Sequence, residues 1–153
     1  MTVKALVLKH LEMTYEKGPG QPSVRVALEG LTAQQAAWKP APERHSIWQI
    51  VRHLVRWKQA IYEDWHGRRP DYAAIDQGDW AEATGDEAAW RRDLEALEAI
   101  SQQYKAYLLG VSDEDLGREV PGLGVLAVSI MEMGTHDIYH AGQIRHLRAL
   151  QGV

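Results

Sequence analysis

Two histidines, His136 and His140, stand four residues apart in the sequence His-Asp-Ile-Tyr-His. On a helix this spacing places the two imidazole rings about one turn apart on the same face. Their ring nitrogens can then bind one cation at roughly 2.0–2.1 Å, the usual distance between zinc and an imidazole nitrogen. The pair supplies two ligands, whereas a metal site of this kind needs a third.

Helical phase selects the third ligand among the seven histidines of the chain. His53 follows Ile50 by three residues and therefore lies on the apolar stripe of a predicted helix. His136 and His140 lie three and seven residues after Met133, on the stripe of a second predicted helix. Helical bundles build metal sites from side chains on facing helices. We therefore predict one site with three imidazole ligands and open coordination positions for water or substrate.

Other interpretations of these residues stay open. A single inward histidine such as His53 is more often a hydrogen-bonded core residue than a ligand. The sequence around the histidine pair also resembles the zinc-protease motif H-E-x-x-H, but there Asp137 replaces the glutamate and is a shorter side chain. Asp137 is expected either to orient an imidazole from outside the ligand set or to lie on the surface as a solvated acid. Trp57 is expected to line the pocket or to fill the core, and His146 is expected to be exposed.

Four long helices are predicted to carry these side chains, because apolar residues recur with a helical period. They span about residues 3–16, 46–66, 84–110 and 126–150. Capping-box pairs open the second and third of them, Ser46 with Gln49 and Thr84 with Glu87. The pattern predicts an all-α four-helix bundle that forms a single domain over residues 1–153.

The connections between the predicted helices differ in length. Residues 67–85 and 111–124 are long connections, and compact up-and-down bundles use short ones. At least one crossover is therefore expected. Residues 120–125 could pair as a minor β-ribbon.

Composition excludes several classes of function. The chain contains no cysteine, so it has no disulfide, thiolate zinc cluster or cysteine nucleophile, which fits a cytoplasmic location. The net charge of −4 gives no basic surface for nucleic acid. No apolar run approaches the roughly 20 residues that span a bilayer, and residues 1–10 lack a signal-peptide cleavage pattern. We expect a cytoplasmic protein without nucleic-acid or membrane partners.

Two ordered motifs resemble the DinB-like (DinB/YfiT) superfamily. The first motif lies within residues 31–54 and consists of the segments LT, AWKPAP and HSIWQIVRHL. The second is HDIYHAGQI at residues 136–144. The resemblance implies a bundle with up-down-down-up topology and long crossover loops, and a homodimer. It also implies a divalent metal, nickel or zinc first and manganese or iron as alternatives, bound by His53, His136 and His140. Gly142 and Gln143 match the residues that follow the second histidine in the family. We expect Gln143 beside the site and Gly142 at a close helix contact, since glycine costs about 1 kcal/mol inside a helix.

The resemblance also frames the hypotheses for function. Family members include S-transferases that use low-molecular-weight thiols and proteins described as metal-dependent hydrolases. A metal bound by three neutral imidazoles could activate either a thiol or a water molecule for attack on a small electrophilic substrate. The alternatives are a non-catalytic metal-binding or stress-response protein and an interaction module without metal. The sequence does not single out a catalytic residue beyond the ligands.

Overall fold

The computed structural model describes residues 1–153 and is mostly helical. In chain order the helices are α1 (Val3–Leu11), α2 (Val24–Leu28), α3 (Ala33–Ala37), α4 (Ile47–Trp65), α5 (Tyr72–Gln77), α6 (Glu87–Gly110) and α7 (Leu126–Gln151). A π-helical turn, Glu12–Glu16, extends α1, and a 3-10 turn, Asp115–Gly117, follows α6. The only strands, β1 (Glu119–Val120) and β2 (Gly124–Val125), pair antiparallel as the predicted ribbon. The all-α prediction is confirmed.

Helix boundaries follow from the capping chemistry. Ser46 and Gln49 form the predicted capping box at the start of α4, with both reciprocal hydrogen bonds present. The predicted cap of α6 at Thr84 is wrong, because the Asp86 side chain accepts the hydrogen bond from the Ala89 amide. A carboxylate caps as well as a hydroxyl and also interacts favourably with the helix dipole.

The two helices α4 and α6 run parallel. Near their N-termini the Trp48 indole donates to Asp93 over 2.5 Å, and near their C-terminal ends the Tyr107 hydroxyl donates to the carbonyl of Trp65. Parallel neighbours cannot be joined by a short turn. The chain therefore returns along the bundle through the long connection that contains α5, which confirms the predicted crossover.

Helix α7 runs antiparallel to α4. The Lys58 ammonium donates to Asp137 over 2.8 Å, and the Trp65 indole, later in α4, donates to Ser129, earlier in α7. This direction places the middle of α7 beside the first half of α4, where His53 lies.

Helix α1 runs antiparallel to α6. The Lys4 ammonium donates to the carbonyl of Leu109, while the Tyr15 hydroxyl donates to Glu98. The directions of the four long helices in chain order are therefore up, down, down, up, as the resemblance implied. No helix combines the length and the apolar character needed to cross a membrane.

The core is rich in aromatic side chains. Trp48, Trp65, Trp90 and Tyr104 are among the largest fully buried side chains. Each indole donates its N–H to a protein acceptor, which lets these large rings be buried without an unsatisfied polar group.

Two glycines of α7 lie in opposite environments. A Cβ atom at Gly134 would lie 2.5 Å from His10 Nε2, so α1 approaches α7 closely at this point. A Cβ at Gly142 would meet nothing within 4 Å. The predicted close helix contact at Gly142 is therefore wrong, and the residue that permits it is Gly134.

Candidate metal centre

Three imidazole nitrogens converge between α4 and α7. His136 Nε2 lies 3.1 Å from His53 Nε2 and 2.9 Å from His140 Nε2. Two nitrogens that each lie 2.0–2.1 Å from one cation are roughly 2.9–3.4 Å apart for ligand angles between about 90° and 110°. These two separations therefore match those expected for ligands of a shared cation. His53, His136 and His140, called the histidine trio below, form a group that could hold a metal ion.

The hydrogen-bonding capacity of the trio fits a cation better than an internal network. His136 Nδ1 is buried and has no hydrogen-bond partner. His136 Nε2 faces both His53 Nε2 and His140 Nε2. If it carried a proton, that single N–H could be donated to only one of the two. Three imidazole nitrogens that lie within 4.8 Å of one another form a donor set that a metal of the zinc or nickel class can bind.

A carboxylate from the long connection orients His53. Asp79 Oδ2 lies 2.6 Å from His53 Nδ1 and also accepts the Trp57 indole N–H over 2.7 Å. Because a carboxylate accepts only, His53 must donate Nδ1–H, which leaves the Nε2 lone pair free to bind a metal. Burial alone would raise the pKa of Asp79, but the hydrogen bonds from Trp57 and His53 outweigh burial and hold that pKa below its usual value.

An amide performs the same task for His140. Gln143 Oε1 accepts from His140 Nδ1 over 2.7 Å, and the amide nitrogen of Gln143 donates to the Tyr139 hydroxyl. This geometry places Gln143 beside His140. Trp57 also lies beside the site, through its hydrogen bond to Asp79.

All three imidazoles are held in the neutral form that binds metals. Burial, together with the neighbouring rings of His140 and His53, lowers the pKa of His136 to about 3. Burial and His53 lower the pKa of His140 to about 4. Burial also lowers the pKa of His53, against the opposing effect of Asp79. The lone pairs of the trio are therefore not blocked by protons at neutral pH.

Trp80 covers one side of the trio. Its ring stacks on His53 with centroids 4.2 Å apart, and its other face stacks on His45 at 3.9 Å. Trp80 is the only non-glycine residue with a positive φ, at 60°. A bulky residue rarely adopts this backbone conformation, which persists only where the surroundings stabilise it. The stack and the hydrogen bond from Gln49 to the Trp80 carbonyl supply that stabilisation here.

The structure places Asp137 in an environment that neither sequence interpretation described. The interpretation as a solvated surface acid is wrong, because the side chain is fully buried. Its carboxylate bonds to no imidazole of the trio and accepts instead from Lys58, which is 1% exposed. One residue along a helix is a rotation of about 100°, so the neighbour of a ligand points to a different part of the core. His146 is exposed, as predicted.

Sequence reasoning missed Asp79, Trp80 and Lys58. Asp79 and Trp80 lie outside the regular helices, so no periodicity indicates where their side chains point. The available signal was an acidic residue next to an aromatic one in a long connection, and long loops often carry functional residues. Lys58 was missed because lysine is almost never fully buried unless it is paired.

Comparison with known families gives one match. The model of a family described as the DinB superfamily matches residues 21–144, which contain the whole histidine trio and Asp79. No curated protein and no solved structure matched the chain.

Proposed function

The chain belongs to the DinB superfamily, and from this membership we propose that His53, His136 and His140 bind one divalent metal ion in an enzyme that acts on a small electrophilic substrate. The observation that carries the proposal is the convergence of three neutral Nε2 atoms on one point between α4 and α7. Nickel and zinc suit three imidazole ligands, and manganese and iron are the alternatives. A homodimer in the cytoplasm stays a prediction.

The protein side chains prepare the site before any substrate arrives. Asp79 and Gln143 fix the ring orientation of His53 and His140, so no rearrangement of these ligands is needed. Trp80 shields His53 from water, which strengthens electrostatic interactions inside the site. When bound, a divalent metal with three neutral ligands retains its charge and lowers the pKa of a thiol or a water molecule beside it.

A thiol is the nucleophile that the surroundings favour. Activation of water is assisted by a carboxylate that is free to accept a proton as a general base. Asp79 is already bound to His53 and Trp57, and Asp137 is paired with Lys58 in the core. A thiol has a pKa nearer to neutrality than water and depends less on such a base. In the transfer that we propose, the thiol releases its proton to solvent, its sulfur bonds to an electrophilic carbon, and the leaving group departs with the electron pair.

A second candidate is a metal-binding protein without turnover. His140 and His53 are only 3% and 8% exposed, and Trp80 covers His53. Such burial would suit retention of an ion as well as catalysis. The two candidates share the metal and differ in whether a substrate reaches it.

Metal analysis of protein purified without an affinity tag tests the proposal. We expect about one equivalent of nickel, zinc, manganese or iron per chain, and loss of that metal in His136→Ala with helicity retained. His146→Ala is the matched control, because His146 is an exposed histidine on the same helix. Equal metal content in His136→Ala and the parent protein would contradict the site.

The reaction is tested on the metal-loaded protein. We expect transfer of low-molecular-weight thiols to a chromogenic aryl halide, measured beside hydrolysis of matched esters and amides. Ester or amide hydrolysis without thiol transfer would favour water as the nucleophile. A loaded protein that catalyses neither reaction would support the second candidate.

A further inference from the structure

A groove runs along α7 next to the histidine trio, although none of the three ligands lines it. Tyr139, Gln143, His146 and Leu150 follow one another at intervals of three or four residues and form one wall. The segment before α4 forms the opposite wall. The groove has a volume of about 720 Å³, within the range of small-molecule sites. Gly142 contributes to this opening, since nothing lies within 4 Å of its Cβ position.

The groove is free of carboxylates in an acidic protein. The chain has 21 acidic and 17 basic residues, yet no aspartate or glutamate lines this groove. Three other surface cavities contain two or three carboxylates each. The groove instead presents Arg44 and the imidazoles of His45 and His146. Its electrostatic character therefore favours an anion.

Arg44 is available to bind that anion. The Arg44 guanidinium forms no ion pair and no hydrogen bond, in contrast to Arg25, Arg52 and Arg68, which pair with carboxylates. Arg56, Arg91, Arg92 and Arg145 are unpaired as well, but none of them lines this groove. A guanidinium presents a planar fork of donors that matches a carboxylate. An unpaired arginine in a groove without acids is a binding group for an oxyanion.

The remaining surface of the groove is apolar. Ile50 and Leu147 are buried beneath it, while Leu150 and Tyr139 are 53% and 62% exposed at its edge. Exposed apolar side chains grouped beside a charged group suit a ligand that has both characters. We propose that the groove binds a small carboxylic acid with an apolar chain or ring, with the carboxylate on Arg44 and His146.

The location of the groove connects this ligand to the metal centre. Gln143 lines the groove and accepts the hydrogen bond from His140, and Tyr139 contacts the same ring with centroids 5.0 Å apart. His45 lies on the opposite wall and stacks on Trp80, which covers His53. An acid of this kind that also carries an electrophilic carbon with a leaving group would be placed beside the metal centre as the substrate. That assignment rests on the proposed function, whereas binding in the groove does not.

Titration of metal-free protein with octanoate, by calorimetry, tests binding separately from the metal. Octylamine has the same chain with the opposite charge and is the matched ligand. We expect octanoate to bind and octylamine not to bind. Arg44→Gln should weaken octanoate binding about tenfold or more, the loss expected for a hydrogen bond to a charged group. Arg145→Gln, an exposed arginine of α7 outside the groove, should leave the affinity unchanged.

Three results would overturn the proposal. The first is equal binding of octanoate and octylamine, and the second is equal octanoate affinity in Arg44→Gln and Arg145→Gln. The third is a stable dimer in sedimentation that Leu150→Glu dissociates, since a second copy would then occupy the groove. If the protein purifies without bound metal and cannot be loaded with it, yet binds octanoate through Arg44, the proposed function is contradicted and the groove assignment stands.

The link to the metal centre has its own readout. Octanoate should shift the imidazole NMR resonances of His140, which is bonded to Gln143, and leave those of exposed His66 unchanged. Unchanged His140 resonances at saturating octanoate would show a ligand that does not reach the site.

Discussion

Asp79 holds His53 from the side opposite the metal position, with 2.6 Å between Oδ2 and Nδ1. The two residues come from different parts of the fold, since Asp79 lies between α5 and α6 and His53 lies in α4. The same carboxylate accepts the Trp57 indole, so its own position is fixed as well. Metal affinity should therefore depend on a residue that does not touch the metal.

We expect Asp79→Asn to weaken metal binding about 10- to 100-fold, the range for loss of a partner behind a ligating histidine. The neutral amide keeps the shape of the side chain but loses the charge that favours Nδ1–H on His53. Competition with a chromogenic chelator measures the change. Asp76→Asn, an exposed acid of α5, is the control and should bind as the parent protein does. Equal affinities for both variants would show that the contact is incidental.

Trp80 should control how fast the metal leaves. Its ring covers His53, so Trp80→Ala should accelerate metal transfer to excess chelator, with a smaller effect on affinity. Stopped-flow measurement of the release rate checks this expectation. Trp38→Ala removes an exposed tryptophan and should leave the rate unchanged. A Trp80→Ala rate equal to that of Trp38→Ala would mean that Trp80 is no barrier.

Removing Lys58 alone should destabilise the protein much more than removing Lys58 and Asp137 together. Lys58→Met leaves a fully buried carboxylate without its cation, and should lower the free energy of unfolding by about 3–5 kcal/mol. Lys58→Met combined with Asp137→Leu should recover most of that loss, because no buried charge remains. Urea denaturation measures both variants. The partly exposed Lys105, paired with Glu12 and Glu16, is the control, and Lys105→Met should cost about 1 kcal/mol or less.

Alanine at the two glycines of α7 should have opposite effects. Gly142→Ala has free space and should stabilise the protein by up to about 1 kcal/mol, the helix preference of alanine over glycine. Gly134→Ala would push His10 from its hydrogen bond with the Met131 carbonyl. We expect a net loss of about 1–3 kcal/mol there, as for other overpacked core sites. Thermal unfolding of both variants distinguishes these signs.

The metal-free protein should lose stability on mild acidification. The pKa values of His136 and His140 are about 3 and 4 in the folded protein, against about 6.5 in an unfolded chain. At a pH between about 4 and 6.5 the unfolded state binds more protons than the folded state. The free energy of unfolding therefore falls as the pH decreases below about 6.5. Urea denaturation at pH 7.5 and pH 5.5 measures the fall. His136→Gln should reduce it, and an unchanged difference in that variant would contradict the cause.

The parts of the site that could be predicted from the sequence are those that lie on regular helices. His53, His136 and His140 share the phase of apolar neighbours, so their direction follows from a 3.6-residue period. Asp79 could not be placed in this way, because its contact with His53 depends on the path of a connection. Asp137 shows a further limit. Its neighbour His136 belongs to the trio, but the pairing of Asp137 itself depends on Lys58, which another helix brings to it.

The separation of the ligands along the chain has a consequence for how the site is assembled. His53 and His136 are 83 residues apart, and they meet only after α4 and α7 have packed together. In the unfolded chain, binding both histidines to one ion would close this long loop, and closing it costs conformational entropy. We therefore expect the ion to enter an already folded protein, and we predict that refolding rates do not depend on the metal concentration.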